Sequence, residues 1–124
     1  MNCIFCKIAN GEIPSYTLYE DDIVIVFMDI NPDSNGHLLI VPKEHTLDMT
    51  TIKPEVISHI ISLVTPLYHH LKEKLNLDGL TLIQNNGDVQ EVKHFHLHLK
   101  PYYNNNEEIK SVEEIYEKIK GFNL

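Results

Sequence analysis

Apolar positions recur along the chain at several spacings, and each spacing predicts a different kind of element. Residues 16–20 and 23–28 are rich in β-branched and aromatic side chains and flank the polar pair Asp21-Asp22, which predicts two strands of a hairpin. The segment Asn31-Pro32-Asp33-Ser34-Asn35-Gly36 is the densest turn chemistry in the chain and delivers His37 to a third strand, closed by Pro42. From Pro54 to about Leu75 the apolar residues Val56, Ile57, Ile60, Ile61, Val64, Leu67, Tyr68, Leu71 and Leu75 keep a helical period and predict one long helix. Pro66 lies inside it and predicts a kink or a break near Leu63, because proline removes a backbone donor. The apolar stripe is broad, widened by Leu63, and fits ordinary burial and a subunit interface equally well. Residues 80–83 and 94–99 supply two further strands around the turn Asn85-Asn86-Gly87-Asp88. Two short helices frame the chain. One carries the N-terminal cysteines, is completed by Lys7 to Asn10 and is stopped by Gly11 and Pro14; the other begins at a Ser111/Glu114 capping box. The sum is an α+β fold with about five strands, and no repeat or linker divides residues 1–124, which read as a single domain.

Composition narrows the function classes. A chain of 124 residues with 43% hydrophobic and 23% charged residues suits one globular core. The formal net charge of -8 argues against DNA, RNA or anionic lipid as partners, so a bound phosphate would need local donors. There is no basic lead and no apolar run beyond residues 23–28, which predicts neither a signal peptide nor a membrane span. Both cysteines, Cys3 and Cys6, lie in one Cys-x-x-Cys, a spacing for metal ligation or local redox chemistry rather than a disulfide framework. A reducing, cytoplasmic setting is the expectation.

The string His94-Phe95-His96-Leu97-His98-Leu99 alternates imidazoles strictly with apolar side chains. Read as a strand, it places residues two apart about 6.5–7 Å from one another on one face, with Phe95, Leu97 and Leu99 packed beneath. Imidazole is a neutral nucleophile near pH 7 and suits attack on phosphorus, provided one ring nitrogen donates to a fixed acceptor while the other keeps its lone pair. Neighbouring rings would then donate to the nonbridging oxygens. A backbone carbonyl is a plausible acceptor for His96.

These residues make the chain similar to the histidine-triad (HIT) family, whose signature is His-φ-His-φ-His-φ-φ. Residues 94–99 fit it, and Lys100 departs at the last φ. The likeness extends to Cys3-Ile4-Phe5-Cys6-Lys7-Ile8, to Phe27-Met28-Asp29-Ile30, to Gly36-His37-Leu38-Leu39-Ile40-Val41-Pro42-Lys43-Glu44-His45 and to Asn85-Asn86-Gly87. The resemblance implies an antiparallel HIT-like sheet, a homodimer, and hydrolysis at the α-phosphate of a purine nucleotide derivative, either a nucleoside phosphoramidate or a dinucleoside polyphosphate. By the same resemblance His96 is the nucleophile, forming a nucleotidyl-histidine. His98 contacts the phosphate, and His37 supports it from the neighbouring strand. Asp29 would bind the ribose, for which its other reading is a strand-end turn residue. Asn85 and Gln90 would lie near the phosphate. The loop before Gln90 is shorter than is common in the family. Glu91 stands where a hydroxyl often follows, and it would repel phosphate or, protonated, serve as a general acid.

The Cys-x-x-Cys offers two thiolates to a tetrahedral zinc, with His45 and His94 as the remaining ligand candidates. Zinc-bearing members of the family use this pattern, which implies a structural Zn2+ that fixes His94. An empty thiol pair or a redox pair stand beside that reading. The rival for the whole protein is a nucleotide-binding or scaffold protein with little turnover. Ligation of one catalytic ion by all three triad histidines is disfavoured, because a straight strand spaces them too widely. His59, His69 and His70 fall on the long helix and read as solvated or interface residues.

Overall fold

The computed structural model describes residues 3–124; Met1 and Asn2 of the expected domain lie outside them. Five strands form one antiparallel sheet: β1 (Thr17–Glu20), β2 (Val24–Met28), β3 (Leu38–Pro42), β4 (Gly79–Gln84) and β5 (Leu97–Tyr102), in spatial order β1-β2-β3-β5-β4. The helices are α1 (Ile4–Ala9), α2 (Pro54–Leu75) and α3 (Val112–Ile119), with a 3-10 turn at Gly87–Val89. Asp21 closes the β1–β2 hairpin by accepting from the backbone N–H groups of Ile23 and Val24 at 2.8 and 2.9 Å.

Side-chain alternation gives the sheet two different faces. Val24, Val26, Met28, Leu38, Ile40, Leu97 and Leu99 pack on one face against Ile60, Leu63, Leu67 and Leu71 of α2 and Ile115 and Ile119 of α3. Truncating one of the fully buried α2 leucines to alanine costs about 2–5 kcal/mol. The intervening residues Ile25, Phe27, Leu39 and Val41 face the other way, under Cys3 and Phe5. His96 and His98 alternate with Leu97 and Leu99, so they belong to this second face, beneath α1.

The long helix keeps its expected bounds and runs unbroken through Pro66. The buried row Leu63, Leu67 and Leu71 holds the helix on both sides of the missing donor. Of its histidines, His69 is exposed as expected, while His59 and His70 are tied to neighbouring elements. His59 Nε2 lies 2.6 Å from Asp21 Oδ2, joining α2 to the hairpin, and His70 Nε2 hydrogen-bonds the Ile119 carbonyl at the end of α3. Burial works to raise the Asp21 carboxyl, but hydrogen bonds from Val24, Tyr19, His59 and Ile23 outweigh it and hold the group at about 2. Ser111 caps α3 as expected, accepting from the Glu114 N–H at 3.1 Å.

The turn before β3 requires its glycine. Gly36 has φ +90°, and a Cβ there would lie 2.6 Å from Leu75 Cδ1. This close approach of the turn to the end of α2 fixes where His37 enters the sheet.

Candidate functional site

The expected triad strand begins later than its alternation suggests. β5 joins the ladder only at Leu97, opposite Ile40, while His94 lies in a bend. Phe95 N–H donates to the Thr46 carbonyl at 2.8 Å and His94 N–H to Val92 at 2.9 Å, so the segment is pinned by loop contacts instead. The three rings therefore do not line up as one row. His96 and His98 stand together, ring centroids 5.0 Å apart, and His94 turns away toward the N-terminus.

His94 enters a compact group with Cys3, Cys6 and His45, whose ligand atoms all lie within 4.8 Å of one another. Its Nδ1 is 3.3 Å from Cys3 Sγ and 3.1 Å from His45 Nδ1, and Cys6 Sγ is 3.3 Å from His45 Nδ1. The other nitrogen of His94, Nε2, is 2.8 Å from the Pro42 carbonyl. A carbonyl only accepts, so Nε2 carries the proton and the Nδ1 lone pair points into the group. Two sulfurs and two imidazole nitrogens with this outer support are a donor set that suits tetrahedral zinc. Burial is the main influence lowering the proton affinity of His94, with His45 and His96 adding to it against the hydrogen bond to Pro42. Burial also pushes the Cys6 thiol up to about 11, reinforced by its neighbour Cys3.

His96 has the opposite arrangement. Its Nδ1 is 2.7 Å from the His94 carbonyl oxygen, so the proton sits on Nδ1 and the lone pair on Nε2. Although only 4% exposed, His96 lines a cavity of about 250 Å³ with His98, Asp29, Asn31, Glu91 and Phe5, among others. It is reached through that cavity. Phe5 packs edge-on against the ring, 5.0 Å between centroids, which ties α1 to its orientation.

His98 is set by a short relay. The backbone N–H of Asp33 donates to His37 Nδ1 at 3.1 Å, which leaves the His37 proton on Nε2. That nitrogen lies 2.9 Å from His98 Nδ1, so His98 accepts there and carries its own proton on Nε2. Burial lowers His37, opposed by Asp29. Burial also lowers His98, to about 4, with further depression from His96, His37 and Lys100. His98 is therefore a neutral donor near pH 7. Asp29, His37 and His98 are close enough to share a cation. The proton on His37 Nε2, enforced by the Asp33 amide, occupies the lone pair such a site would need.

The remaining expected residues divide. Asp29 lines the cavity and is also a turn residue, its Oδ1 accepting from Asn31 N–H at 2.8 Å and its Oδ2 lying 3.6 Å from His37 Nε2. Asn85 is not among the residues lining the cavity. Gln90 is buried away from it, and its Nε2 donates to the Leu47 carbonyl at 2.6 Å, so the expected donation to phosphate is replaced by a tie between two loops. Sequence reasoning missed the Asp33–Lys100 pair, whose 2.5 Å contact secures the turn that feeds His37. Lys100, noted only as a departure from the signature, lies on the triad's face of β5 and was the available signal. A larger cavity of about 440 Å³ opens beside His45, between residues 44–47 and the start of α2, with no triad histidine among its described lining residues.

Sheet order, paired imidazoles and the cysteine–histidine group together define a histidine-triad domain. The chain belongs to the HIT family: the family model for the HIT domain matches residues 10–105. An uncharacterized HIT-like protein of Methanocaldococcus jannaschii is 42% identical over 129 residues, covering 96% of this chain and 99% of that one. An adenosine 5'-monophosphoramidase of Schizosaccharomyces pombe is 36% identical over 137 residues, covering 97% and 100%. Among solved structures, a Zn-bound histidine triad family protein from Mycobacterium smegmatis superposes with a TM-score of 0.89 at 31% identity, covering 97% of this chain and 91% of the other. No helix among the described residues is long and apolar enough to cross a membrane.

Proposed function

We propose that this protein is a hydrolase acting at the α-phosphorus of purine nucleotide derivatives, with His96 as nucleophile. The observation that carries the reading is the hydrogen bond from His96 Nδ1 to the His94 carbonyl, which leaves Nε2 as the lone-pair nitrogen of a ring lining the cavity. Relatives named as adenosine 5'-monophosphoramidases support the same class of substrate.

In this reading the His96 Nε2 lone pair forms a bond to phosphorus while the bond to the leaving group breaks. The leaving group takes the electron pair and a proton from solvent, which is returned to solvent when the attacking water loses one of its own. Water then attacks phosphorus, the P–Nε2 bond breaks, and the nucleotide departs with His96 restored. His98 donates from Nε2 to a nonbridging oxygen, and His37 holds it in the donating tautomer. Asp29 accepts from the ribose hydroxyls. Cys3, Cys6, His45 and His94 would hold a structural zinc, which would supply rigidity rather than water activation. The protein acts as a cytoplasmic homodimer, where the cysteine pair stays reduced, and binds neither nucleic acid nor membrane.

The test is turnover of adenosine 5'-phosphoramidate by the protein and by its His96→Gly variant. The variant should lose at least about a thousandfold in kcat while still binding adenosine monophosphate. Turnover retained within tenfold would remove His96 as nucleophile. Binding by the unaltered protein without turnover would favour the nucleotide-binding or scaffold reading.

A further inference from the structure

The cavity holding His96 and His98 contains two carboxylates, Asp29 and Glu91, and no lysine among its described lining residues. All 10 basic residues of the chain are lysines, so no guanidinium is available to reach it. The two lysines that flank the triad in sequence are committed elsewhere: Lys93 Nζ donates to the Gly87 carbonyl at 2.9 Å, and Lys100 pairs with Asp33. The carboxylates differ in their freedom. Asp29 spends one oxygen on the Asn31 N–H and turns the other toward His37. Glu91 is exposed, lines the cavity, and has no hydrogen bond or ion pair among the described residues.

Resting on the reading of His96 as nucleophile and Asp29 as ribose ligand, we propose that Glu91 is a specificity-determining residue that selects leaving groups carrying positive charge. Once the ribose takes Asp29, Glu91 is the charged side chain left on the cavity wall for the departing group to meet. It enters from the segment before β5, while Asp29 enters from the end of β2. A leaving amine with a second, protonated amino group gains a counterion as the bond to phosphorus breaks. A polyphosphate or carboxylate-bearing leaving group meets like charge and, among the described lining residues, no lysine to balance it. The class selected is therefore the nucleoside phosphoramidate of a diamine or of a basic amino acid, in preference to an acidic amine or a dinucleoside polyphosphate. A charge pair at about 5–7 Å in a partly solvated cavity is worth about a tenfold change in kcat/KM.

The experiment compares three adenosine 5'-phosphoramidates whose leaving amines share one skeleton and end in an ammonium, a methyl or a carboxylate group. Ratios of kcat/KM are measured within each protein, so that a general loss of activity in a variant cancels. The unaltered protein should prefer the ammonium over the carboxylate by about tenfold, and the preference should shrink at high salt. Glu91→Gln should bring the ratio near one, and Glu91→Lys should reverse it. Glu91 is exposed, so neither substitution disturbs the core. The same ratio in all three proteins, or no preference in the unaltered one, would overturn the selection while leaving the nucleophile intact. No turnover of any of the three by the unaltered protein would instead remove the functional reading and the selection with it.

Discussion

The metal group and the cavity meet within residues 94–98, where His94 serves one and His96 and His98 the other, and these rings differ in which nitrogen carries the proton. His94 gives its Nε2 proton to the Pro42 carbonyl and turns Nδ1 toward two sulfurs, an arrangement that suits a metal ion. Two residues later His96 gives its Nδ1 proton to the His94 carbonyl and leaves Nε2 on the cavity side. His98 accepts at Nδ1 and so keeps its proton on the nitrogen free to donate. In the proposed function one residue type is divided among ligand, nucleophile and donor by three backbone groups, the Pro42 and His94 carbonyls and the Asp33 N–H. The difference teaches that tautomer, set by a fixed main-chain partner, decides what a histidine does. It also joins the two regions, because His94 supplies a ring nitrogen to one and a carbonyl to the other.

The sharpest way to break the comparison is to remove the metal group without touching the cavity. If the group holds zinc as proposed, the double variant Cys3→Ala, Cys6→Ala should bind none, melt at a lower temperature and turn over about 10–100-fold more slowly, because the His94 carbonyl is no longer held in place. Metal analysis, thermal melting and kcat read the three effects. A zinc-free variant with unchanged kcat would make the two regions independent. A smaller effect is expected at His37→Ala, which removes the group that fixes His98. Steady-state kinetics should show kcat lower by about tenfold with zinc content unchanged, since the relay does not reach the cysteine group.

A smaller effect still is the pH dependence of stability contributed by His37 and His98. Burial holds His98 at about 4 and lowers His37, so both are neutral in the fold while the unfolded chain binds protons from about 6.5 downward. Their contribution to stability is complete above about pH 6.5 and is lost as pH falls toward 4. Urea denaturation at pH 7 and pH 5 should show a loss of about 1–2 kcal/mol, solvent screening at the cavity keeping it toward the lower value. Replacing His98 by Gln should flatten that dependence.

Sequence patterning carried the fold far because its signals were local. The period of α2, the Ser111 cap and the strands beside Asp21-Asp22 all depend on neighbours within a few residues. The alternation at residues 94–99 misled about the start of β5, because the Thr46 carbonyl that pins Phe95 is 49 positions away and leaves no mark on the pattern. The tie of Gln90 to the Leu47 carbonyl was hidden for the same reason, since that partner is 43 positions away. The cysteine pair with His45 and His94 was legible since ligand chemistry is written in residue types. Tautomers were not, since they depend on backbone groups that every residue possesses.

In the proposed reaction Nε2 of His96 is the atom that bonds to phosphorus. The most direct test is a rapid quench of the protein with adenosine 5'-phosphoramidate under alkaline denaturing conditions, which preserve a phosphorus–nitrogen bond, followed by peptide mapping by mass spectrometry. The expected result is one adenylyl group on the peptide spanning residues 94–100, fragmenting to His96, and absent from the His96→Gly variant. An adenylyl group located on His98 or His37, or turnover at full rate with no adenylylated peptide at any quench time, would contradict it.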